Sequence, residues 1–279
     1  MPPLPLFMHT NRATQPPPRS SHFDLRTGWW SDTHNISFRK GKGTHGPWGA
    51  GGVAFLFKYD WMLETAGALP VSGPHDAVPV TDPWMLVDTD TVFQCGAAEL
   101  RRRFAHFGTP LVYGAERNCY PSCKGRARSV YPPVPTQLRY PNTGGIMGTR
   151  AGFELVHKLL HTKMPQFPCC HELSDQGEVS SSTCLVEEQG CIQRLIQSGS
   201  LRLGVDVSLD SNASLFLNLH QLPSSLLVTE QDGTLRYGAG GHKPCVLHTN
   251  SNAGKAMYPQ IAQRASAAWV VQPLAKPST

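Results

Sequence analysis

The sequence is short of charge: Asp, Glu, Lys and Arg make up 16% of its 279 residues, where globular domains average about 25%. That excludes a charged tail or a coiled coil. It also has no large basic block. Twenty-five Lys and Arg against twenty Asp and Glu leave a net charge of +5, a balance that suits a phosphate-bearing ligand and argues against nucleic acid as a partner. No apolar run approaches the roughly 18 residues that a membrane span requires, and the opening MPPLPLFMHT is too short and too broken by proline for the apolar core of a signal peptide. The Gly-rich stretch from His45 to Gly52 carries neither G-x-x-x-x-G-K-S/T nor G-x-G-x-x-G. The eight cysteines lack the paired spacing of a zinc ribbon, and their even number permits disulfides without fixing a compartment. Glycine (26) and proline (24) are frequent but stay below the roughly 25–30% that marks low-complexity chains. A loop-rich globular protein remains.

What is present alternates between strand and helix patterns. Residues 1–20, with six prolines, read as an irregular lead-in outside the core. A Gly-rich stretch, His45–Gly52, precedes a helix pattern over Val53–Thr65. Trp84–Val87 and Leu111–Tyr113 are continuous apolar runs of the kind found in strands buried on both faces. Gly144–Gly148 reads as a third strand. Between them Ala97, Leu100, Phe104 and Phe107 recur at helical spacing up to Gly108, with Arg101–Arg103 facing outward. Further helices are expected around Phe153–Leu160 and from about Glu187 to Gln197, ending at Gly199. Leu201–Val207 and Leu215–Leu219 read as strands, and Asp232-Gly233 as the two-residue turn of a hairpin joining Leu226–Thr229 to Thr234–Tyr237. This order predicts an α/β fold with a mostly parallel central sheet flanked by helices and a C-terminal β-hairpin.

In such sheets ligands gather at the carboxyl ends of strands. Asp88 and Asp90 follow the run Leu86-Val87, and two carboxylates one residue apart can share a hard divalent cation such as Mn²⁺ or Mg²⁺. His248 follows another apolar run, Cys245–Leu247, and an imidazole can complete a mixed oxygen and nitrogen shell. At the helix start, Glu187 and Glu188 also complement the helix dipole.

Six segments in series, LVDTDTVF (86–93), GAERNCYP (114–121), RYPNTGGIMG (139–148), EEQ (187–189), VDVSLDSNASLFLNL (205–219) and VLHTNSNAGK (246–255), resemble the glycosyltransferase domain of procollagen lysyl hydroxylases and their procollagen glycosyltransferase-like relatives. The resemblance runs from about residue 45 to about residue 255. It implies a GT-A fold, a UDP-sugar donor, a divalent metal and a hydroxyl acceptor on a protein or glycan, such as a hydroxylated amino-acid side chain.

Residue by residue, the resemblance makes Asp88, Asp90 and His248 the metal ligands. Asp90 stands in for a family aspartate whose own place holds Thr91. Asn250 and Lys255 fall on the diphosphate-contacting stretch; Asn142, Gly144 and Gly145 on an acceptor-side loop; Asp210 on another acceptor-side position. Glu187 and Glu188 take the catalytic acids' place, with Asp175 in Ser174-Asp175-Gln176 as the rival. The family's first strand has no clear counterpart before Gly49, Pro5–Asn11 being a degenerate candidate. A start lost from the chain would imply a secretory lumen; a genuine one, the cytoplasm. The expected organisation is a lead-in at 1–20, one GT-A-like domain at 21–258 and an extension at 259–279. Two other readings share these residues: a non-catalytic GT-A-like scaffold and a metal-dependent nucleotide-sugar hydrolase.

Overall fold

The computed structural model describes residues 4–10, 23–29, 59, 62–63, 83–88, 90–120, 127–163, 188–238 and 242–250. A six-stranded sheet, in the order β2-β1-β3-β6-β5-β7, is built from β1 (Leu4–Thr10), β2 (Phe23–Trp29), β3 (Trp84–Asp88), β5 (Leu111–Glu116), β6 (Tyr140–Gly148) and β7 (Ser208–Asp210). A smaller sheet has the order β4-β11-β8, with β4 at Thr91–Phe93, β8 at Phe216–Asn218 and β11 at Val246–His248. The helices are α1 (Ala97–Ala105), the short α2 (Ala127–Val130), α3 (Arg150–Lys163) and α4 (Glu188–Gln197).

Alternation along the strands explains the layers. Trp84, Leu86, Leu111, Tyr113 and Ile146 pack with Phe153, Val156 and Leu160 of α3 and Ile192, Leu195 and Ile196 of α4. Met85, Val87, Val112 and Met147 face the other way, against Leu100 and Phe104 of α1 and against Phe216 and Val246 of the small sheet. Both faces of the large sheet are therefore covered, which is why its strands read as unbroken apolar runs. Each fully buried Leu or Phe contributes about 1.5–3 kcal/mol. Tyr59, Met62 and Leu63, in helical conformation, belong to the first of these clusters.

Several expectations are corrected. The lead-in at 1–20 contains β1, which lies parallel between β2 and β3, so a strand does precede Gly49. Its pairing with β3 begins at Leu6. Pro5 thus lies beyond the end of that ladder, where a missing N–H is tolerated. The large sheet is mixed, because β6 is antiparallel to both β3 and β5 while β1/β2, β1/β3 and β5/β7 are parallel. Leu201–Val207 is a turn: Gly204 takes φ +77°, and Asp206 accepts from the backbone N–H and guanidinium of Arg202. The strand comes next, as β7.

The hairpin joins β9 (Leu227–Thr229) to β10 (Leu235–Tyr237). Its loop has three residues, since Glu230 N–H donates to the Thr234 carbonyl and Gly233, at φ +80°, donates to that of Glu230. This is the glycine-bulge form of turn. Arg103 is not merely solvated: its guanidinium donates to the carbonyls of Ser214 and Lys243, fastening α1 to the loops before β8 and β11. The Gly-rich stretch 45–52 and the extension 259–279 lie outside the described residues, as does the 53–65 helix pattern apart from Tyr59, Met62 and Leu63.

A disulfide, Cys95–Cys245, bridges residues 150 apart in sequence, and Cys119 and Cys191 are also oxidised. Cys95 follows β4 and Cys245 precedes β11, so the bridge closes one end of that strand pair. Replacing Cys95 and Cys245 by serine should lower stability by about 2–4 kcal/mol, read as an earlier midpoint in denaturant titration of the oxidised protein. An unchanged midpoint would show that the other contacts of these strands suffice.

Candidate functional site

Where β3 leaves the large sheet, the chain turns at Asp90 and enters the small sheet as β4. Thr91 stabilises the turn, its hydroxyl donating to the Asp88 carbonyl. Across the β4/β11 ladder Thr91 stands opposite His248, and the N–H and hydroxyl of Thr249 both donate to the Asp90 carbonyl. These contacts bring Asp88, Asp90 and His248 together, with one ligand atom from each lying within 4.8 Å of the others. His248 Nε2 is 3.2 Å from Asp90 Oδ1 and 3.7 Å from Asp88 Oδ2. Two carboxylates and an imidazole fit a hard to borderline divalent ion such as Mn²⁺.

The imidazole is buried between strands. Its Nδ1 lies 2.8 Å from Asn218 Oδ1 and 3.1 Å from Asn142 Oδ1. Burial alone would lower its proton affinity. The hydrogen bond and charge of Asp90, then the charges of Asp88 and Glu116, outweigh burial and raise the pKa above its ordinary value.

Gly144 makes the ring's position possible, since a Cβ there would sit 1.9 Å from His248 Cε1. At Gly145 it would sit 2.5 Å from Phe216 Cδ1. The local backbone is a bulge: β5 pairs Tyr113 with Ile146 and then Gly114 with Asn142, so that its register skips from Ile146 to Asn142. Such bulges re-aim side chains next to sites.

Beside the histidine runs a buried polar network that the sequence did not announce. Glu116, at the end of β5, accepts from Gln189 Nε2 at 2.6 Å and Asn250 Nδ2 at 3.4 Å. Burial pushes its carboxyl up to about 7, against the pull of hydrogen bonds from Gln189, Asn142 and Asn250 and of the His248 charge. Gln189 Oε1 accepts from Thr143 N–H, and Asn250 Oδ1 from His220 N–H. The advance signals for Glu116 were its place at the carboxyl end of an apolar strand and its lying within the segment GAERNCYP (114–121).

The remaining candidates divide. Glu188 is buried at the start of α4. Its charge is felt by Tyr59 and Tyr113, whose hydroxyls lie 2.9 Å apart and whose pKa values rise through burial first and Glu188 in addition. Asp210 is fully buried, and its oxygens accept from the Ser214 N–H and hydroxyl and from the N–H groups of Leu215 and Phe216. That makes it the organiser of the β7–β8 turn, with no oxygen turned to an acceptor. Glu187, Asp175 and Lys255 lie outside the described residues.

Residues 82–165 match the family model described as the PLOD GT domain, the glycosyltransferase domain of the procollagen lysyl hydroxylases. Over that span, which carries Asp88, Asp90, Glu116, Asn142, Gly144 and Gly145, the chain is similar to this domain. His248 lies beyond it. Among curated proteins no match was found.

Two outcomes follow from the geometry. Gly144→Ala should displace His248 at a cost of about 1–3 kcal/mol, and the rise in melting temperature expected of the unaltered protein with Mn²⁺ should be absent in the variant; a full Mn²⁺ response in the folded variant would contradict the role given to the ring. The second concerns pH. Because the folded-state pKa of His248 is raised, its proton stabilises the metal-free protein below the unfolded pKa, and that contribution is lost as pH rises through the folded value. A metal ion competes for the same nitrogen. A Mn²⁺-induced melting shift should therefore grow as pH rises from below the ordinary imidazole value to above the raised one, as scanning fluorimetry would show; a flat response would argue against His248.

Proposed function

We propose that this chain is a GT-A-like, metal-dependent glycosyltransferase that moves a hexose from a UDP-sugar to a hydroxyl acceptor, such as a hydroxylated amino-acid side chain. The observation that carries the reading is the convergence of Asp88, Asp90 and His248 at the carboxyl end of β3. The similarity of residues 82–165 to a glycosyltransferase domain supports it. The pairing of β1 with β3 removes a reason for preferring a scaffold, since a strand occupies the place where one was missing.

In this reading Asp88, Asp90 and His248 hold the cation, which when bound acts as a Lewis acid toward the departing diphosphate. By the resemblance, Asn250 and Lys255 are assigned to the same diphosphate. Asn142 and the bulge at Thr143–Gly145 form the acceptor side, where Gln189 fixes the Thr143 backbone. A carboxylate takes the proton of the attacking hydroxyl. Glu188, at the head of α4, and Glu187 are the assigned pair. Glu116 is a second candidate, because a carboxyl near 7 can both accept and release a proton at neutral pH. The oxidised cysteines support an oxidising compartment such as the secretory lumen.

The test is UDP release from a panel of UDP-sugars with Mn²⁺, with and without hydroxylated acceptors. Sugar-bearing product is expected; release without an acceptor would instead indicate hydrolysis, and binding without turnover a scaffold. Asp88→Asn should remove most of the Mn²⁺ stabilisation while leaving the metal-free melting temperature in place. Glu188→Gln should lower turnover at least about a hundredfold with little change in UDP affinity. If Glu116→Gln does so while Glu188→Gln is silent, the base is Glu116.

A further inference from the structure

Asn218 ends β8 directly opposite His248 in the parallel β8/β11 ladder and is almost wholly buried. Its amide has one orientation. Nδ2 donates to the Ala115 carbonyl at 2.9 Å, and a flipped amide would set oxygen against oxygen there. Gly114 leaves the room this requires, since a Cβ at that position would come within 3.0 Å of Asn218 Nδ2. Oδ1 is consequently the atom that meets His248 Nδ1 at 2.8 Å, and an amide oxygen can only accept. The second neighbour of Nδ1, Asn142 Oδ1, already accepts from Gly144 N–H at 2.9 Å, so it too is an oxygen. Two acceptors converge on one ring nitrogen.

We propose that Asn218 is a positioning residue for the metal centre: its oxygen keeps the hydrogen of the neutral His248 ring on Nδ1, so that Nε2 turns its lone pair toward Asp88 and Asp90. The carboxylates of Asp90 and Asp88, 3.2 and 3.7 Å from Nε2, favour a hydrogen there, but they are partly exposed and screened by water; the other tautomer would press the Nδ1 lone pair against two buried oxygens, where an unmatched polar contact is most costly. The same logic governs metal-bound histidines generally, whose second nitrogen is held by an oxygen that sets tautomer and ring angle. Asn218 itself does not ligate; it decides which nitrogen can. The inference rests on the reading of His248 as a ligand, while the tautomer it specifies belongs to the metal-free protein.

The experiment begins with the full chain labelled with ¹⁵N at histidine, metal-free and at a pH where His248 is neutral. Two-bond proton–nitrogen correlation spectra should show the Nδ1–H form. Asn218→Leu, similar in bulk but without an acceptor, should shift the ring to a mixture of tautomers and weaken Mn²⁺ binding about 10- to 100-fold by calorimetry. Asn218→Asp keeps an oxygen at Nδ1 and, with its other oxygen protonated so that it donates to the Ala115 carbonyl in place of Nδ2, should keep both the tautomer and most of the affinity. A wild-type ring in the Nε2–H form overturns the proposal, and so does a leucine variant with wild-type spectrum and affinity. Should the leucine variant not fold, the wild-type spectrum and the aspartate variant still decide. A wild-type protein that shows Nδ1–H but binds no Mn²⁺ supports the role of Asn218 and removes the metal reading instead.

Discussion

A buried imidazole must find partners for both its nitrogens, and much of the structure around His248 answers that demand. Leaving one buried polar group unmatched costs about 1–3 kcal/mol. Oxygens meet Nδ1 from β6 and β8, and carboxylates meet Nε2 from the turn between β3 and β4. The ring fits only because Gly144 has no side chain and because the β5/β6 register slips at Tyr113. The turn at Asp90, the bulge and the joining of the two sheets form one arrangement. Altering any of them moves the histidine.

Around that ring the polar groups are linked more closely than their spacing in the chain suggests. Gln189 from α4 connects Thr143 on the bulge to Glu116 on β5, and also donates to the Tyr120 carbonyl. Asn250 connects Glu116 to His220. Because α4 is anchored by Ile192, Leu195 and Ile196 in the large core cluster, these hydrogen bonds start from a rigid element, as a preorganised site requires. Fully matched buried networks also strengthen their own members in a low dielectric.

The parts that could be read in advance are those that packing writes into local sequence. Trp84–Val87 and Leu111–Tyr113 are apolar at every position because both faces of their sheet are covered, and α1 shows its stripe because only one face is. Asp88, Asp90 and His248 were visible as polar residues at the ends of such runs. β1 was hidden by Pro5, which matters only where a ladder needs its N–H. The direction of β6 depends on what surrounds it, and no local pattern records that. Asn218 and Glu116 looked like ordinary strand ends, since their importance lies in partners far away in the chain, Ala115 for Asn218 and Gln189 and Asn250 for Glu116. Asp210 carried the chemistry of a site residue and spends it on four donors of its own turn.

The bridge between Cys95 and Cys245 ties the chain into a covalent ring that contains α1, the β5/β6 bulge, α4, β7 and β8, with Asp90 and His248 just outside on its two exits. A single backbone cut anywhere within that ring would leave one molecule. Its fragments would migrate together without reductant and part with it. A cut inside the ring therefore leaves the two limbs that meet at the histidine joined.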